Sequence, residues 1–212
     1  NCKSSNITVI NNGLDYEEFS PISNIERNKN RLITTASADV ALKGLDFSLK
    51  ALKLLKKNNP KIHLIIIGAP KKNGHTEKLI KKLNIEDNVI FKKNISKEKI
   101  KELYSTSSIA IVSSLYEGFG YPVIEAMSCE VPLIATNISS IPELVRGYGI
   151  LIDPKDEKKL SFNIEKVLNN YDDYKDNAIK GRQHVIETFN WHKITAEYEK
   201  ILYKTIEKFK KC

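Results

Sequence analysis

Cysteine is scarce in this chain of 212 residues, where Cys2, Cys129 and Cys212 are the only three. An odd count without a C-x-x-C pair provides neither a disulfide framework nor the usual ligands of a structural zinc site. Long apolar runs are absent too, because no segment approaches the roughly 20 residues that a membrane-spanning helix requires. No secretory signal is visible. These absences predict a protein of a reducing, cytoplasmic compartment.

The positively charged residues are not interleaved with aromatic residues along the chain. The net charge is +8, from 34 lysines and arginines against 26 aspartates and glutamates. The lysine pairs are spread along the chain, whereas a nucleic-acid surface gathers charge and interleaves aromatics. We therefore expect a solvated surface and no nucleic-acid partner. Attraction to nucleotide phosphate, or peripheral contact with anionic lipid at the inner membrane face, is the alternative use of this charge.

Internal repeats and low-complexity linkers are also missing, so the chain is predicted to form one α/β domain. Short apolar runs alternate with stretches whose apolar residues recur at helical spacing. This alternation predicts a doubly wound, Rossmann-like parallel sheet of about six strands, with ligand beyond their carboxyl ends. The apolar, strand-like runs cover residues 7–10, 32–36, 63–67, 88–91, 109–112, 131–135 and 148–152.

Helices are predicted where apolar residues return every three or four positions. After Gly44 the apolar stripe consists of Phe47, Ala51, Leu54 and Leu55. Further helices are predicted to carry Leu79, Ile80 and Leu83; Ile100, Leu103 and Tyr104, with Ser96 as the cap; Leu160, Ile164, Val167 and Leu168; and, after Trp191 as a packing anchor, Ile194, Tyr198, Ile201, Leu202 and Phe209.

Residues 114–132, SLYEGFGYPVIEAMSCEVP, lie between two apolar runs and predict a tight loop and a helix between two strands. Gly118 and Gly120 allow a sharp turn and the close approach of a ligand to the backbone. Pro122 suits the first turn of a helix, where its missing N–H would have had no partner. The free N–H groups of that turn and the helix dipole predict an anion site suited to phosphate.

Two acids flank this predicted phosphate site, Glu117 at its mouth and Glu125 about one helical turn inside it. Like charges repel, so the acids make sense if the ligand also carries hydroxyl groups, which donate to ionised carboxylates. A sugar provides such donors. The structural alternative is that glycine-rich turns before helices and surface glutamates are both common in doubly wound folds.

The residues from Glu117 to Glu125, EGFGYPVIE, resemble the E-x7-E signature of retaining nucleotide-sugar glycosyltransferases with the GT-B architecture, the large group 1 or "family four" type. The resemblance implies that Glu117 is the catalytic residue, whose carboxylate contacts the transferred sugar near the reacting carbon. It implies that the amides of Gly118, Phe119 and Gly120 contact sugar and diphosphate. It also implies that Glu125 holds the ribose hydroxyls.

Lys43 lies in a predicted loop between a strand and a helix, on the ligand side of the sheet. In the resembled family the corresponding lysine contacts the donor diphosphate, together with an arginine five or six residues earlier. Here those positions are Ala38 and Ser37, a difference that is expected to weaken donor binding or to alter donor preference. Asp39 is a candidate to orient Lys43 by pairing with it. The alternative for Lys43 is a solvated loop lysine.

Other positions carry weaker signals. The resemblance implies that the loop with Lys92 and Ile95 borders the nucleotide base, largely through backbone groups. Ser139 and Ser140 replace a Gly-Gly pair of the family, so their side chains are expected to narrow the space around the sugar. His75 is expected to be solvated, with ligand contact as the alternative.

Residues 12–21, NGLDYEEFSP, resemble the segment that opens the second domain in this glycosyltransferase family. The resemblance implies that residues 1–212 form a nucleotide-sugar (donor) binding domain, the C-terminal half of a GT-B protein. The partner would be an N-terminal, acceptor-binding half, toward which a helix in residues 190–212 is expected to pack. The chain alone is expected to be inactive.

The function implied is transfer of a sugar from a nucleoside-diphosphate sugar, with UDP as the favoured nucleotide, to an unknown acceptor with retention of configuration. No cofactor or metal is expected. Two alternatives stay open at this point. One is a module that binds nucleotide sugar without turnover, and the other is a different GT-B enzyme such as a nucleotide-sugar epimerase.

Overall fold

The computed structural model of the chain describes residues 7–36 and 39–210. Predictions about Cys2, Cys212, Ser37 and Ala38 lie outside these residues. The strands within them are β1 (Asn28–Thr35), β2 (His63–Ile67), β3 (Val89–Lys92), β4 (Ser107–Val112), β5 (Leu133–Thr136) and β6 (Ile150–Ile152). The helices are α1 (Leu45–Lys56), α2 (His75–Leu83), α3 (Lys97–Thr106), α4 (Tyr121–Ser128), α5 (Ile141–Val145), α6 (Glu157–Asn169), α7 (Tyr171–Thr188) and α8 (Trp191–Lys210).

The strands form one parallel sheet in the order β3-β2-β1-β4-β5-β6. At its centre, Leu32 of β1 is paired with Leu64 of β2 on one side and with Ile109 of β4 on the other. The chain adds strands outward from β1 in one direction and then in the other, which places a topological switch point between β1 and β4. This confirms the predicted doubly wound, Rossmann-like sheet.

Helices cover both faces of the sheet and enclose two apolar cores. Strand β4 shows the division, because Ile109 and Ile111 belong to the core beneath α1 and α6, whereas Ala110 and Val112 belong to the core beneath α4 and α7. Every residue of β4 is buried, as expected for a strand covered on both faces. A rigid central strand therefore carries the loop that follows Val112.

The buried face of α1 differs from the predicted stripe. Ala51 and Leu55 are buried, but Phe47 and Leu54 are only half-buried. Because α1 packs against both the sheet and α6, its buried face is broader and centred on another side of the helix. That face consists of Leu45, Ser48, Leu49, Ala51, Leu52 and Leu55.

The predicted strand at residues 7–10 is wrong. The described part of the chain has no strand there, and Ile7 and Val9 are 62% and 85% exposed. Within the described residues, the first backbone hydrogen bond to the rest of the fold is made by Leu14, whose N–H donates to the carbonyl oxygen of Phe189 over 2.6 Å. The chain thus joins the domain beside the junction of α7 and α8 and not along an edge strand, so the apolar run has no strand to pair with.

Helix α7 is not among the elements predicted from sequence. It packs on α4, and a Cβ on its Gly181 would lie 3.2 Å from Tyr148 Cβ and 3.5 Å from Met127 Cε. At this interface the small residue lets the two helices approach closely, where most helices pack through a stripe of aliphatic side chains. The buried residues of α7 are Ala178, Gly181, His184 and Val185.

Two arginines fix the C-terminal end of α4. Arg27 donates to carbonyl oxygens at the ends of α3 and α4, where unpaired carbonyls and the helix dipole favour a cation. Arg182 donates to the carbonyl oxygens of Ser128 and Phe19, which ties α4 to the N-terminal segment. The acceptors of Arg27 are Tyr104, Ser107 and Cys129, each at 2.9 Å, and Glu130 at 3.0 Å.

Helix α8 begins at Trp191, whose ring lies directly against Gly13. Ile194 is buried, but Tyr198, Leu202 and Phe209 are 45%, 60% and 76% exposed. Within residues 7–36 and 39–210, none of the helices combines the length and apolarity that crossing a membrane requires.

Candidate functional site

Two loops meet at the switch point between β1 and β4. The N–H of Leu115 donates to the carbonyl oxygen of Leu42 over 2.7 Å, and Ser113 Oγ donates to the carbonyl oxygen of Gly44 over 3.0 Å. Gly44 has a φ of 61°, and a Cβ there would lie 1.9 Å from the carbonyl oxygen of Ser113, so only glycine fits. The backbone of Lys43 is therefore fixed to the end of the central strand.

Lys43 and Glu117 contact each other across this junction. Lys43 Nζ lies 2.9 Å from Glu117 Oε1 and 3.0 Å from Oε2, and Ser114 Oγ donates to Oε2 over 2.9 Å. The side chains of Lys43 and Glu117 are 28% and 10% exposed, so partial shielding from water strengthens their attraction. The fold thus joins two predicted site residues that lie 74 positions apart.

Asp39 does not orient Lys43, which corrects the prediction. Its Oδ2 accepts from the N–H of Lys71 over 2.7 Å, and its Oδ1 accepts from the N–H of Thr76 over 2.8 Å. Burial raises the pKa of Asp39, but the hydrogen bonds from Thr76 and Lys71 outweigh burial and hold the pKa below its ordinary value. With both oxygens used in this way, Asp39 ties the loop after β1 to the start of α2.

His75 pairs with Asp46 at the surface, with 2.7 Å between Nε2 and Oδ2 and 65% of the histidine side chain exposed. Both residues line a cleft of about 390 Å³, together with Phe47 and Leu115. Neither predicted acid lines this cleft. It therefore lies beside the ion pair of Lys43 and is not centred on it.

The loop between Glu117 and α4 leaves its amides unpaired. Gly120 has a φ of 111°, and a Cβ there would lie 3.0 Å from Leu144 Cδ1. At Gly118 a Cβ would meet nothing within 4 Å. In the described part of the chain, the N–H groups of Gly118, Phe119 and Gly120 donate no hydrogen bond. The glycine at position 120 serves the fold, whereas the one at 118 leaves the backbone accessible beside the N-terminus of α4.

Ser140 holds this loop from the other side, a role that sequence reasoning misses. Its Oγ donates to the carbonyl oxygens of Phe119 and Glu117 over 2.6 and 3.2 Å. The Phe119 side chain packs edge-on against Tyr121 and Phe189, with ring centroids 5.2 and 6.0 Å apart. The signal in the sequence is a serine where the resembled family has glycine, but that signal does not indicate where the hydroxyl points.

Glu125 lies inside α4, separate from the ion pair. Its Oε2 accepts from Tyr104 Oη over 3.3 Å, and the same hydroxyl lies 3.0 Å from Thr35 Oγ1. Burial raises the pKa of Glu125 to about 7, an effect that the Tyr104 hydrogen bond only partly offsets. Sequence reasoning treats Tyr104 as an apolar helix residue and so misses its hydroxyl. Glu125 lines a depression of about 360 Å³ with Lys97, Ile100, Tyr121 and Trp191.

Lys92 and Ile95 lie further out along the carboxyl edge. Lys92 ends β3, and its carbonyl oxygen accepts from the N–H of Gly68 over 2.8 Å. Ile95 is partly buried against the core beneath α4. No hydrogen bond within the described ranges joins either residue to the three charged residues above.

The assembled groups suit a ligand that carries both phosphate and hydroxyl groups. Lys43 and the unpaired amides of residues 118–120 can donate to phosphate oxygens. The carboxylates of Glu117 and Glu125 can accept from hydroxyls. Among residues 7–36 and 39–210, no group of three or more His, Cys, Asp or Glu side chains could hold a metal ion.

Known proteins share this sequence pattern and fold. Residues 15–184 match the family model described as "Glycosyl transferases group 1". The chain is 32% identical over 207 residues to the MMP alpha-(1->4)-mannosyltransferase of Mycolicibacterium hassiacum. The aligned region covers 96% of this chain and 50% of that relative. It therefore spans about half the length of this relative.

Two solved structures illustrate the shared fold. The C-terminal domain of a glycosyl transferase group 1 family protein (LpcC) from Francisella tularensis has a TM-score of 0.73 and 22% identity, with 84% of this chain and 100% of that chain covered. Anabaena Alr3699/HepE in complex with UDP and glucose has a TM-score of 0.81 and 20% identity, with 93% of this chain and 57% of that chain covered.

Proposed function

Because this chain belongs to the group 1 glycosyl transferases, we propose that it binds a nucleoside-diphosphate sugar for transfer with retention of configuration. The observation that carries this proposal is the ion pair of Lys43 and Glu117 beside the unpaired amides of residues 118–120. These groups lie at the switch point, where doubly wound folds bind their ligands. A UDP-linked donor is proposed because the fold neighbour HepE holds UDP and glucose.

In the proposed reaction, the bond between the anomeric carbon and the diphosphate oxygen breaks, and its electron pair leaves with the diphosphate. Lys43 and the amides of Gly118 and Gly120 stabilise the charge that develops there. Glu117 lies beside the sugar and favours the positive charge at the anomeric carbon. The acceptor hydroxyl oxygen forms the new bond to the anomeric carbon, and its proton passes to the departing diphosphate oxygen. The scheme uses no metal.

Donor binding requires Lys43 to exchange one anion for another. Its ammonium has three donors on a flexible stem, so it can turn toward phosphate while its backbone stays locked beside Gly44. Glu117 then keeps the hydrogen bond from Ser114 at Oε2 and gains a free Oε1. That oxygen becomes available to a sugar hydroxyl.

The remaining residues are assigned to the nucleotide. The ionised Glu125 carboxylate accepts from the ribose hydroxyls, which donate to it at the mouth of its depression. Backbone groups near Lys92 and Ile95 border the base. This division keeps the reacting end of the donor at Glu117 and the nucleoside end at Glu125.

The acceptor site is proposed to come from another half of a longer protein, since the mannosyltransferase relative is about twice as long as this chain. The exposed apolar side of α8, within residues 190–212, would pack toward that half. The net charge of +8 supports peripheral contact with anionic lipid headgroups.

Calorimetric titration of this chain with UDP, GDP, ADP and their sugar conjugates tests the proposal. We expect a dissociation constant of roughly micromolar to millimolar for one nucleotide series, because the site is open on one side. Tightest binding in the UDP series supports the proposed nucleotide. Failure of every nucleotide to bind at millimolar concentration would contradict donor binding altogether.

A further inference from the structure

The loop of residues 118–120 has an asymmetry between its two kinds of backbone group. The carbonyl oxygens of Glu117 and Phe119 both accept from Ser140 Oγ, over 3.2 and 2.6 Å. The N–H groups that follow them, on Gly118 and Gly120, donate no hydrogen bond in the described part of the chain. The single hydroxyl proton of Ser140 is thus shared by two acceptors, with the shorter contact to Phe119, and two donors are left open.

Peptide geometry links these observations. In a planar trans peptide the C=O of one residue and the N–H of the next point in opposite directions. A hydroxyl that holds the carbonyls of Glu117 and Phe119 therefore turns the N–H groups of Gly118 and Gly120 away from itself. Those N–H groups point to the side of the loop opposite Ser140.

Ser140 is itself rigidly held. Its carbonyl oxygen accepts from the N–H groups of Glu143 and Leu144, over 3.2 and 3.3 Å, at the start of α5. Leu144 is buried and lies against Gly120, so α5 and the loop pack directly together. The Ser140 hydroxyl is thus attached to the first turn of a helix that itself packs on the loop.

We propose that Ser140 is a positioning residue, which orients the amides of Gly118 and Gly120 toward the diphosphate and sugar of the donor. The inference rests on the proposed function. Donors that are already aligned require no reorganisation when the ligand binds, which strengthens binding and charge stabilisation. Without the hydroxyl, both peptide units are free to rotate, and the amide array has to be ordered by the ligand.

The test compares Ser140→Ala with Ser139→Ala as the matched control. Ser139 is the exposed neighbour, and its side chain makes no hydrogen bond within residues 7–36 and 39–210. Calorimetry with UDP and with UMP separates the diphosphate end from the nucleoside end. We expect Ser140→Ala to weaken UDP binding about tenfold, or 1.4 kcal/mol, while UMP affinity and that of the control change less than about twofold. Ser140→Thr, which keeps the hydroxyl, should restore UDP binding.

A second measurement observes the amides directly. In chain labelled with ¹⁵N-glycine, the Gly118 and Gly120 resonances of ligand-free Ser140→Ala should be displaced and broadened relative to those of the wild type and of Ser139→Ala, because both peptide units are then free to rotate. Thermal unfolding of each variant shows whether the fold is intact. If Ser140→Ala does not fold, the same UDP and UMP titrations are made with Ser140→Gly, which also removes the hydroxyl.

Equal UDP affinity in Ser140→Ala and Ser139→Ala would overturn the inference and leave donor binding intact. An equal loss for UMP and UDP would also overturn it, because the effect would not lie at the diphosphate. A wild-type chain that binds no UDP would overturn the proposed function, and the inference with it.

Discussion

Lys43 is held by the residue that it is proposed to leave when donor binds. Its ammonium lies within 3.0 Å of both oxygens of Glu117, and it cannot keep that geometry while it contacts a diphosphate. The ion pair is partly shielded from water, so its disruption is unfavourable unless phosphate replaces the carboxylate. If the proposed function holds, Glu117 competes with the diphosphate of the donor for Lys43 and is expected to lower the affinity for it.

This competition predicts opposite effects of two substitutions. Glu117→Gln should raise UDP affinity a few-fold, because a neutral amide holds the ammonium less strongly than a carboxylate does. Lys43→Met should lower UDP affinity at least tenfold, consistent with the loss of a charged hydrogen bond of about 1.5–3 kcal/mol. Calorimetry measures both. Lys57→Met, at the far end of α1, is the control with the same charge change, and a loss in Glu117→Gln as large as in Lys43→Met would refute the competition.

Glu125 makes stability depend on pH. Burial raises its pKa to about 7 from an ordinary 4.5, so between these values the folded chain holds a proton that the unfolded chain has lost. Below pH 4.5 the carboxyl is protonated in both states and does not reduce the free energy of unfolding. As the pH rises from 4.5 to about 7, the unfolded chain ionises while the folded chain does not, so the free energy of unfolding falls. Ionisation of this buried carboxyl, the form in which it is proposed to bind ribose, thus destabilises the ligand-free fold near neutral pH.

The corresponding prediction concerns Glu125→Gln. At pH 8 its free energy of unfolding should exceed that of the wild type by up to about 3 kcal/mol, since each pKa unit is worth about 1.4 kcal/mol. At pH 4.5 the two should be nearly equal. Urea unfolding at the two pH values measures the difference, and the same variant should bind UDP more weakly. A stability gain that does not change with pH would show that ionisation of Glu125 is not its cause.

At the scale of elements, the segment around Glu117 is predictable because its signals are local. Gly120 has a backbone conformation that favours glycine, and Pro122 lies in the first turn of α4 as expected. Strand β2 also matches its apolar run from His63 to Ile67. Each of these features depends on the conformational preference of one residue or on its immediate neighbours, and both can be inferred from the residue types alone.

The elements and contacts that were missed depend on packing between distant segments. In α1 apolar residues surround most of the helix, so packing against both the sheet and α6 decides that Leu49 and not Phe47 is buried. In α7 the buried face consists mostly of small residues, so the sequence shows no stripe of large apolar residues that would predict the helix. The hydrogen bonds of Ser140 to Phe119 and of Tyr104 to Glu125 each span 21 positions, a separation at which sequence pattern does not fix side-chain direction.

Helices α3 and α4 are joined through one guanidinium, which gives a prediction at this scale. Arg27→Met should lower the free energy of unfolding by about 2–4 kcal/mol, because it removes four hydrogen bonds to part-buried carbonyl oxygens at helix ends. Urea denaturation measures the change. Lys29→Met, on the exposed start of β1, is the matched control, and an effect of Arg27→Met no larger than that of the control would contradict the role.

For the whole molecule, the decisive feature is that the candidate site lies open at one edge of the sheet. Val40, Leu42 and Tyr116, neighbours of Lys43 and Glu117 along the chain, are 44%, 54% and 61% exposed. Productive transfer needs donor and acceptor in near-attack geometry with water excluded, a contribution that can reach about 7–11 kcal/mol. The described residues provide groups for the donor but no enclosure around it.

The last prediction follows from this openness. Residues 1–212 alone should fold and bind nucleotide sugar weakly, but should transfer sugar orders of magnitude more slowly than a protein of about twice this length, the size of the mannosyltransferase relative. Mass spectrometry of the acceptor after incubation with each protein measures the ratio. In the longer protein, Glu117→Gln should abolish transfer while UDP still binds, which separates chemistry from donor affinity. Comparable transfer rates from the short chain and the longer protein would show that the donor domain needs no second half, because its own edge would then suffice to exclude water and align the acceptor.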